Sequence, residues 1–216
     1  MFRQVIAGIG VAVAGLAAAP VATGQDREPR FTVGGGAGMS DPFHGDFDFR
    51  AVGWEVAARG RPGTYLSIEG FASGWRHSAE TRRLDVPLQN PTGPIGTIGE
   101  LSQRTVEQTQ AFGASLLPTF SAGRATVVIG GGANVMFFQH RFDQQLSNCN
   151  STTPVTCGSF STARTTSDLG VHAVAGIDVV VAPRLTAFGQ YRLLAPIRDP
   201  GSGHAALLAG VRLVLR

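Results

Sequence analysis

From Gln25 onward the chain alternates apolar and polar positions with a period of two, and clusters of Gly, Pro, Ser and Asn interrupt the alternation. That period sends successive side chains to opposite faces of an extended strand. It predicts eight strands, at about 30–39, 47–59, 63–76, 100–118, 124–141, 161–181, 184–194 and 204–215. The last three are the clearest. Val171, Ala173, Ala175, Ile177 and Val179 share one face, with His172, Gly176 and Asp178 on the other. Leu185, Ala187, Gly189, Tyr191 and Leu193 alternate with Thr186, Phe188, Gln190 and Arg192. Leu207, Ala209, Val211, Leu213 and Leu215 alternate with Leu208, Gly210, Arg212 and Val214. One face is apolar throughout, while the other is polar, small or singly charged.

The connections alternate too. Arg59 to Gly63, Pro118 to Arg124 and Ala182-Pro183 are short, with Pro and Gly where the chain must reverse. Ser40 to Asp46, His77 to Gly99, Phe142 to Phe160 and Ala195 to Gly203 are longer and read as loops. Short turns on one rim and long loops on the other are the asymmetry of a membrane-spanning barrel. The predicted fold is all-β: an antiparallel up-and-down barrel of about eight strands.

The N-terminus has a different pattern. Met1-Phe2-Arg3-Gln4 is followed by an unbroken apolar and small run from Val5 to Ala22, the form of a secretory signal peptide. Residues 1–24 are therefore assigned to an export signal and 25–216 to the barrel. No later stretch could cross a membrane as a helix, so a spanning role would fall to a closed barrel, which leaves no backbone edge in lipid.

Composition narrows the function. All 18 basic residues are Arg, and they are spread along the chain rather than interleaved with aromatics in a stripe. That distribution argues against nucleic acid as a partner. The runs Gly34-Gly35-Gly36 and Gly130-Gly131-Gly132 sit inside strands, not before a helix, so they suit close strand approach better than a phosphate cradle. The histidines His44, His77, His140, His172 and His204 are scattered, with no metal-ligand spacing, and no cofactor is implied. A Gly-x-Ser-x-Gly elbow is absent, so no catalytic residues are assigned.

Two residue sets remain. Glu55, Glu69, Asp178, Arg192 and Arg212 are single charges in mid-strand on the polar face. In a narrow barrel they would point inward, and Glu55 and Glu69 are expected to pair with Arg192 and Arg212. Eight strands leave a bore just wide enough for side chains to fill, so a plugged lumen is expected. Cys149 and Cys157 flank Pro154 in a long connection, and in an exported chain they are expected to form a disulfide.

The whole mature chain resembles the small outer-membrane β-barrel domains of the OmpA- and OmpX-like kind. The most specific likeness is the last strand, Gly210-Val211-Arg212-Leu213-Val214-Leu215. It is similar to the assembly signal of those families, with Gly210, Leu213 and Leu215 at its marked positions, although they often end on Phe. The resemblance implies an outer-membrane location, lipid and the barrel assembly machinery as partners, and a non-catalytic structural or surface-interaction role with the exterior partner open. The alternatives are a small channel or hydrophobic-ligand carrier, or a soluble periplasmic ligand-binding barrel.

Overall fold

The computed structural model describes residues 30–42, 51–63, 65–90, 93–151 and 158–215. The assigned signal peptide, 1–24, lies outside the described residues. Eight strands follow in chain order: β1 (Arg30–Pro42), β2 (Ala51–Arg61), β3 (Leu66–Asn90), β4 (Gly93–Ala122), β5 (Ala125–Ser151), β6 (Ser159–Ala182), β7 (Leu185–Pro196) and β8 (His204–Leu215). Each pairs antiparallel with its sequence neighbours, and β1 pairs with β8 from Phe31↔Leu215 to Pro42↔His204, which closes the barrel. Closure removes the sheet edges that an open meander would expose.

Both described chain ends and all three tight turns lie on one rim, the turn rim. The β4–β5 turn reverses at Gly123, whose φ of 58° is the left-handed conformation glycine tolerates without a Cβ clash. Gly132 answers a different need. A Cβ there would lie 1.9 Å from the Ala114 carbonyl oxygen, so β4 and β5 pack as closely as they do only because it is absent.

The strands are unequal. β1, β2, β7 and β8 have 11 to 13 residues, whereas β3 to β6 have 24 to 30. A tilted strand needs about 9–11 residues to cross a bilayer. The four long strands therefore continue past the far rim as a projecting four-stranded sheet. This corrects the sequence expectation that 77–99 and 142–160 are loops. β3 runs unbroken to Asn90 and pairs with β4 as far as Asn90↔Gly93, and β5 reaches Ser151. The segment His77-Ser78-Ala79-Glu80-Thr81-Arg82 is exposed or half-exposed and mostly polar on both faces. Hydrophobic period cannot reveal a strand with no buried face.

Candidate functional site: the lumen and the projecting sheet

Alternation turns the apolar residues outward. Val33, Val52, Val56, Ile129, Val171 and Leu213 are exposed around the wall, and the polar series faces the bore. A soluble carrier needs the reverse. Among the aromatic residues, Trp54, Tyr65, Phe112 and Phe137 are exposed and Tyr191 is half-buried. Phe43, Phe47 and Phe49 lie outside the described residues.

Inside the bore, nearer the turn rim, the structure brings Glu55, Glu69, Asp178, Arg192 and Arg212 into one network. Arg192 lies between two carboxylates: its Nη2 donates to Glu69 Oε1 at 2.8 Å and to Glu55 Oε1 at 3.1 Å. Arg212 donates to Asp178, and its Nη2 donates to Gln190 Oε1 at 3.0 Å and sits 3.6 Å from Glu69 Oε2. Gln190 in turn donates to Glu55. A sixth charge completes the set. Arg59 donates through Nε (2.9 Å) and Nη2 (2.6 Å) to Glu69 Oε2, and through Nη1 to Asp178. Sequence reasoning misses Arg59 because its neighbours Gly60, Arg61, Pro62 and Gly63 make it read as part of the turn. Its place at an odd position of β2, in step with Glu55, is the available signal.

Three guanidinium groups thus meet three carboxylates, and the two central members, Arg192 and Glu69, are fully buried. A buried charge persists only when paired and hydrogen-bonded. The guanidinium planes are also covered on their faces. Arg192 stacks 3.7 Å from the Phe71 ring centroid and Arg212 3.8 Å from that of Phe188.

Apolar side chains also enter the bore. Phe71, Met136, Ala57, Ala111 and Leu194 form one packed cluster, and Trp75, Phe188, Leu208, Ala206 and Ala51 form another. The polar face of the strands therefore carries large apolar side chains as well, a departure from the sequence reading. Buried polar side chains, Ser40, Asp41, Thr109 and Asn134, are interspersed with these apolar ones.

One pair invites a catalytic reading. Ser115 Oγ lies 2.7 Å from His172 Nε2, a juxtaposition of β4 with β6 that strand periodicity cannot foresee. A hydrolytic triad needs a third group to orient the imidazole through Nδ1. His172 Nδ1 has no hydrogen-bond partner, and the ring is held edge-on against Phe71 at 4.9 Å. The pair is buried on the bore side of the wall. Among the described residues, no group of His, Cys, Asp and Glu could hold a metal ion.

Outside the spanning wall, the charges of the projecting sheet pair at the surface. Arg82 binds Glu100, and Arg141 Nε donates to Asp143 Oδ1 at 3.0 Å, which also accepts from Ser161 Oγ at 2.6 Å. The Arg82 hydrogen bond holds the Glu100 carboxyl below its usual range, and the Ser161 and Arg141 hydrogen bonds do the same for Asp143. Cys149 lies on β5 opposite Ile98, whereas Cys157 lies outside the described residues, so the expected disulfide does too. The assembly-signal positions Gly210, Leu213 and Leu215 lie on β8, with Leu213 and Leu215 outward.

A closed eight-stranded antiparallel barrel with an apolar exterior and an ionic interior defines a class: the small outer-membrane β-barrel fold. Among solved structures the chain is similar to a major outer membrane protein of Thermus thermophilus, with a TM-score of 0.54 at 14% identity, over 87% of this chain and 100% of that one. The attachment invasion locus protein Ail of Yersinia pestis matches at a TM-score of 0.49 and 12% identity, over 88% of this chain and 100% of that one. Neisserial surface protein A matches at 0.49 and 11%, over 88% and 99%. No family model and no curated protein matches the sequence.

Proposed function

We propose that the protein is a non-catalytic outer-membrane barrel whose working part is the sheet that β3 to β6 raise beyond the far rim. The observation that carries this reading is the inverted polarity of the wall combined with the unequal strand lengths. Among the described residues no helix is long and apolar enough to cross a membrane, so crossing falls to the strands. An apolar wall around a bore crossed by buried ion pairs suits lipid outside and no conduction inside.

Among the described residues, the projecting sheet has two edges without a strand partner. β2 pairs with β3 only as far as Arg76, and β7 meets β6 only from Gly170. Beyond those points β3 and β6 each offer a line of backbone N–H and C=O groups to an incoming strand. The hydrogen bond from Leu146 N–H to the Gly158 carbonyl fixes the parity on β6. Even-numbered residues from 160 to 168 bond to β5, while the odd-numbered ones point outward, as the Leu169 carbonyl does in accepting from Ile197. The exterior partner is read as a protein segment in extended conformation.

Fractionation with a heat-modifiability gel tests the barrel, and an epitope inserted between Asn90 and Gly93 tests the orientation. A membrane-bound band that shifts on boiling, with antibody bound to intact cells, is expected. A soluble, unshifted protein would overturn the membrane reading. An epitope read only after permeabilisation would overturn the surface role. Ionic conductance in planar bilayers would replace this reading with the channel.

A further inference from the structure

The two rims differ in charge. On the projecting side, basic and acidic residues are mixed and paired, as at Arg82–Glu100, Arg141–Asp143 and Arg198–Asp168. The turn rim differs. β2 ends at Arg61, the β4–β5 turn carries Arg124, the β6–β7 turn carries Arg184, and β1 begins at Arg30. These four mark the four successive chain reversals and ends around the closed ring, roughly one per quarter. Among the described residues of this rim (30–31, 61–65, 119–126, 180–185 and 214–215) there is no Asp or Glu. Asp178, the nearest carboxylate, turns inward to Arg59 and Arg212. Arg124 and Arg184 are exposed, and Arg61 also donates to Ser121 Oγ at 3.2 Å. Asp26, Arg27 and Glu28 precede Arg30 in sequence and lie outside the described residues.

Just above the arginines the wall exposes Phe31, Tyr65, Phe120, Val181, Leu213 and Leu215. Aromatic and aliphatic side chains capped by a ring of guanidinium groups form the profile of a membrane–water boundary, where long cationic side chains keep their stems in the apolar layer and their heads in the phosphates.

We propose that the turn rim is a binding surface for anionic phospholipid headgroups, with Arg61, Arg124 and Arg184 each reaching a phosphate of the near leaflet. The planar guanidinium suits this task because it can meet two phosphate oxygens at once. With no carboxylate among the described residues of the rim, the attraction extends around the circumference. The inference rests on the membrane reading above and adds the lipid class.

The test reconstitutes the mature chain in vesicles of phosphatidylcholine alone and in vesicles one part in three phosphatidylglycerol, and follows denaturant unfolding by gel shift. The anionic lipid is expected to raise the folded-to-unfolded ratio about five-fold per arginine at low salt, with the gain shrinking as salt screens it. R61Q/R124Q/R184Q is expected to fold in phosphatidylcholine and to lose most of the gain. R124Q/R184Q, which leaves the Arg61–Ser121 contact in place, should lose about two thirds of it. A wild-type protein indifferent to phosphatidylglycerol, or variants that keep the full gain, would overturn the proposal while leaving the barrel in the membrane. Failure to insert into either vesicle would overturn both readings. Binding of a soluble acidic polysaccharide without any response to phosphatidylglycerol would assign the rim to a cell-wall partner instead.

Discussion

The lumen and the projecting sheet use the same chemistry, arginine against carboxylate, to opposite effect. In the bore Arg192 and Glu69 have no contact with solvent, and each has more than one charged partner. In the sheet, Arg82 is 64% exposed and Arg141 57% exposed in their ion pairs, where water screens the attraction and competes for the donors. A surface pair is worth about 0–1 kcal/mol. Breaking a buried one leaves a charge stranded where it cannot be solvated, at a cost of about 3–5 kcal/mol. The charges of the bore therefore fix how the wall closes, whereas those of the sheet only trim a structure already held by its backbone ladder.

The largest effect should follow from Arg192→Leu, which strands Glu55 and leaves Glu69 to Arg59 and Arg212: a loss of about 3–5 kcal/mol, read as a lower denaturant midpoint of the heat-modifiable form. Arg82→Leu should stay within about 1 kcal/mol in the same assay. Equal shifts would abolish the distinction between the two regions. Phe71→Ala comes next, at about 3 kcal/mol, because it opens a cavity in the apolar layer and uncovers the Arg192 guanidinium plane. A variant with unchanged midpoint would show that the apolar layer contributes nothing to closure.

Within the sheet, Arg164→Pro removes a ladder donor to β5 and should cost about 1 kcal/mol locally, seen as faster amide exchange in 159–169. Ala163→Pro, whose N–H points away from β5, should leave exchange protection unchanged while blocking strand addition at that edge. Loss of protection in Ala163→Pro would reverse the assigned parity. The smallest effect is acidification. Glu100 and Asp143 titrate below their ordinary values of 4.5 and 3.8, so their stabilisation is complete above about pH 4.5 and is lost as pH falls below that range. Exchange protection of the sheet should fall there while the gel shift of the barrel persists. Simultaneous loss of both would join the two regions into one cooperative unit.

How much of this could be read from the chain follows from the same contrast. Where one face is the apolar outer wall and the other a packed bore, the alternation is strong, and the strands around Val171 and Leu207 can be located from it. The same period puts Glu55, Glu69, Asp178, Arg192 and Arg212 on one face. Their partners are a matter of closure geometry: Asp178 meets Arg59 and Arg212, a choice set by how β2, β6 and β8 converge, with no trace in local pattern. The extensions of β3 to β6 escape such a reading because both faces meet water there. The Ser115–His172 contact escapes it because it joins β4 to β6 across the bore, whereas Phe188 and Leu208 share the parity of the lumen charges.

The lumen network also bears on how the chain survives before it closes. Arg59 and Asp178 are separated by 119 residues, and Glu55 and Arg192 by 137, so the network forms only when the first third of the chain meets the last. Contacts so distant in sequence form late. Until then these six charged groups interrupt the apolar strand positions at both ends of the chain, exposed to water, where charges oppose strand-to-strand aggregation. The residues that tie the finished barrel together are thus the ones that oppose aggregation while it is unfinished.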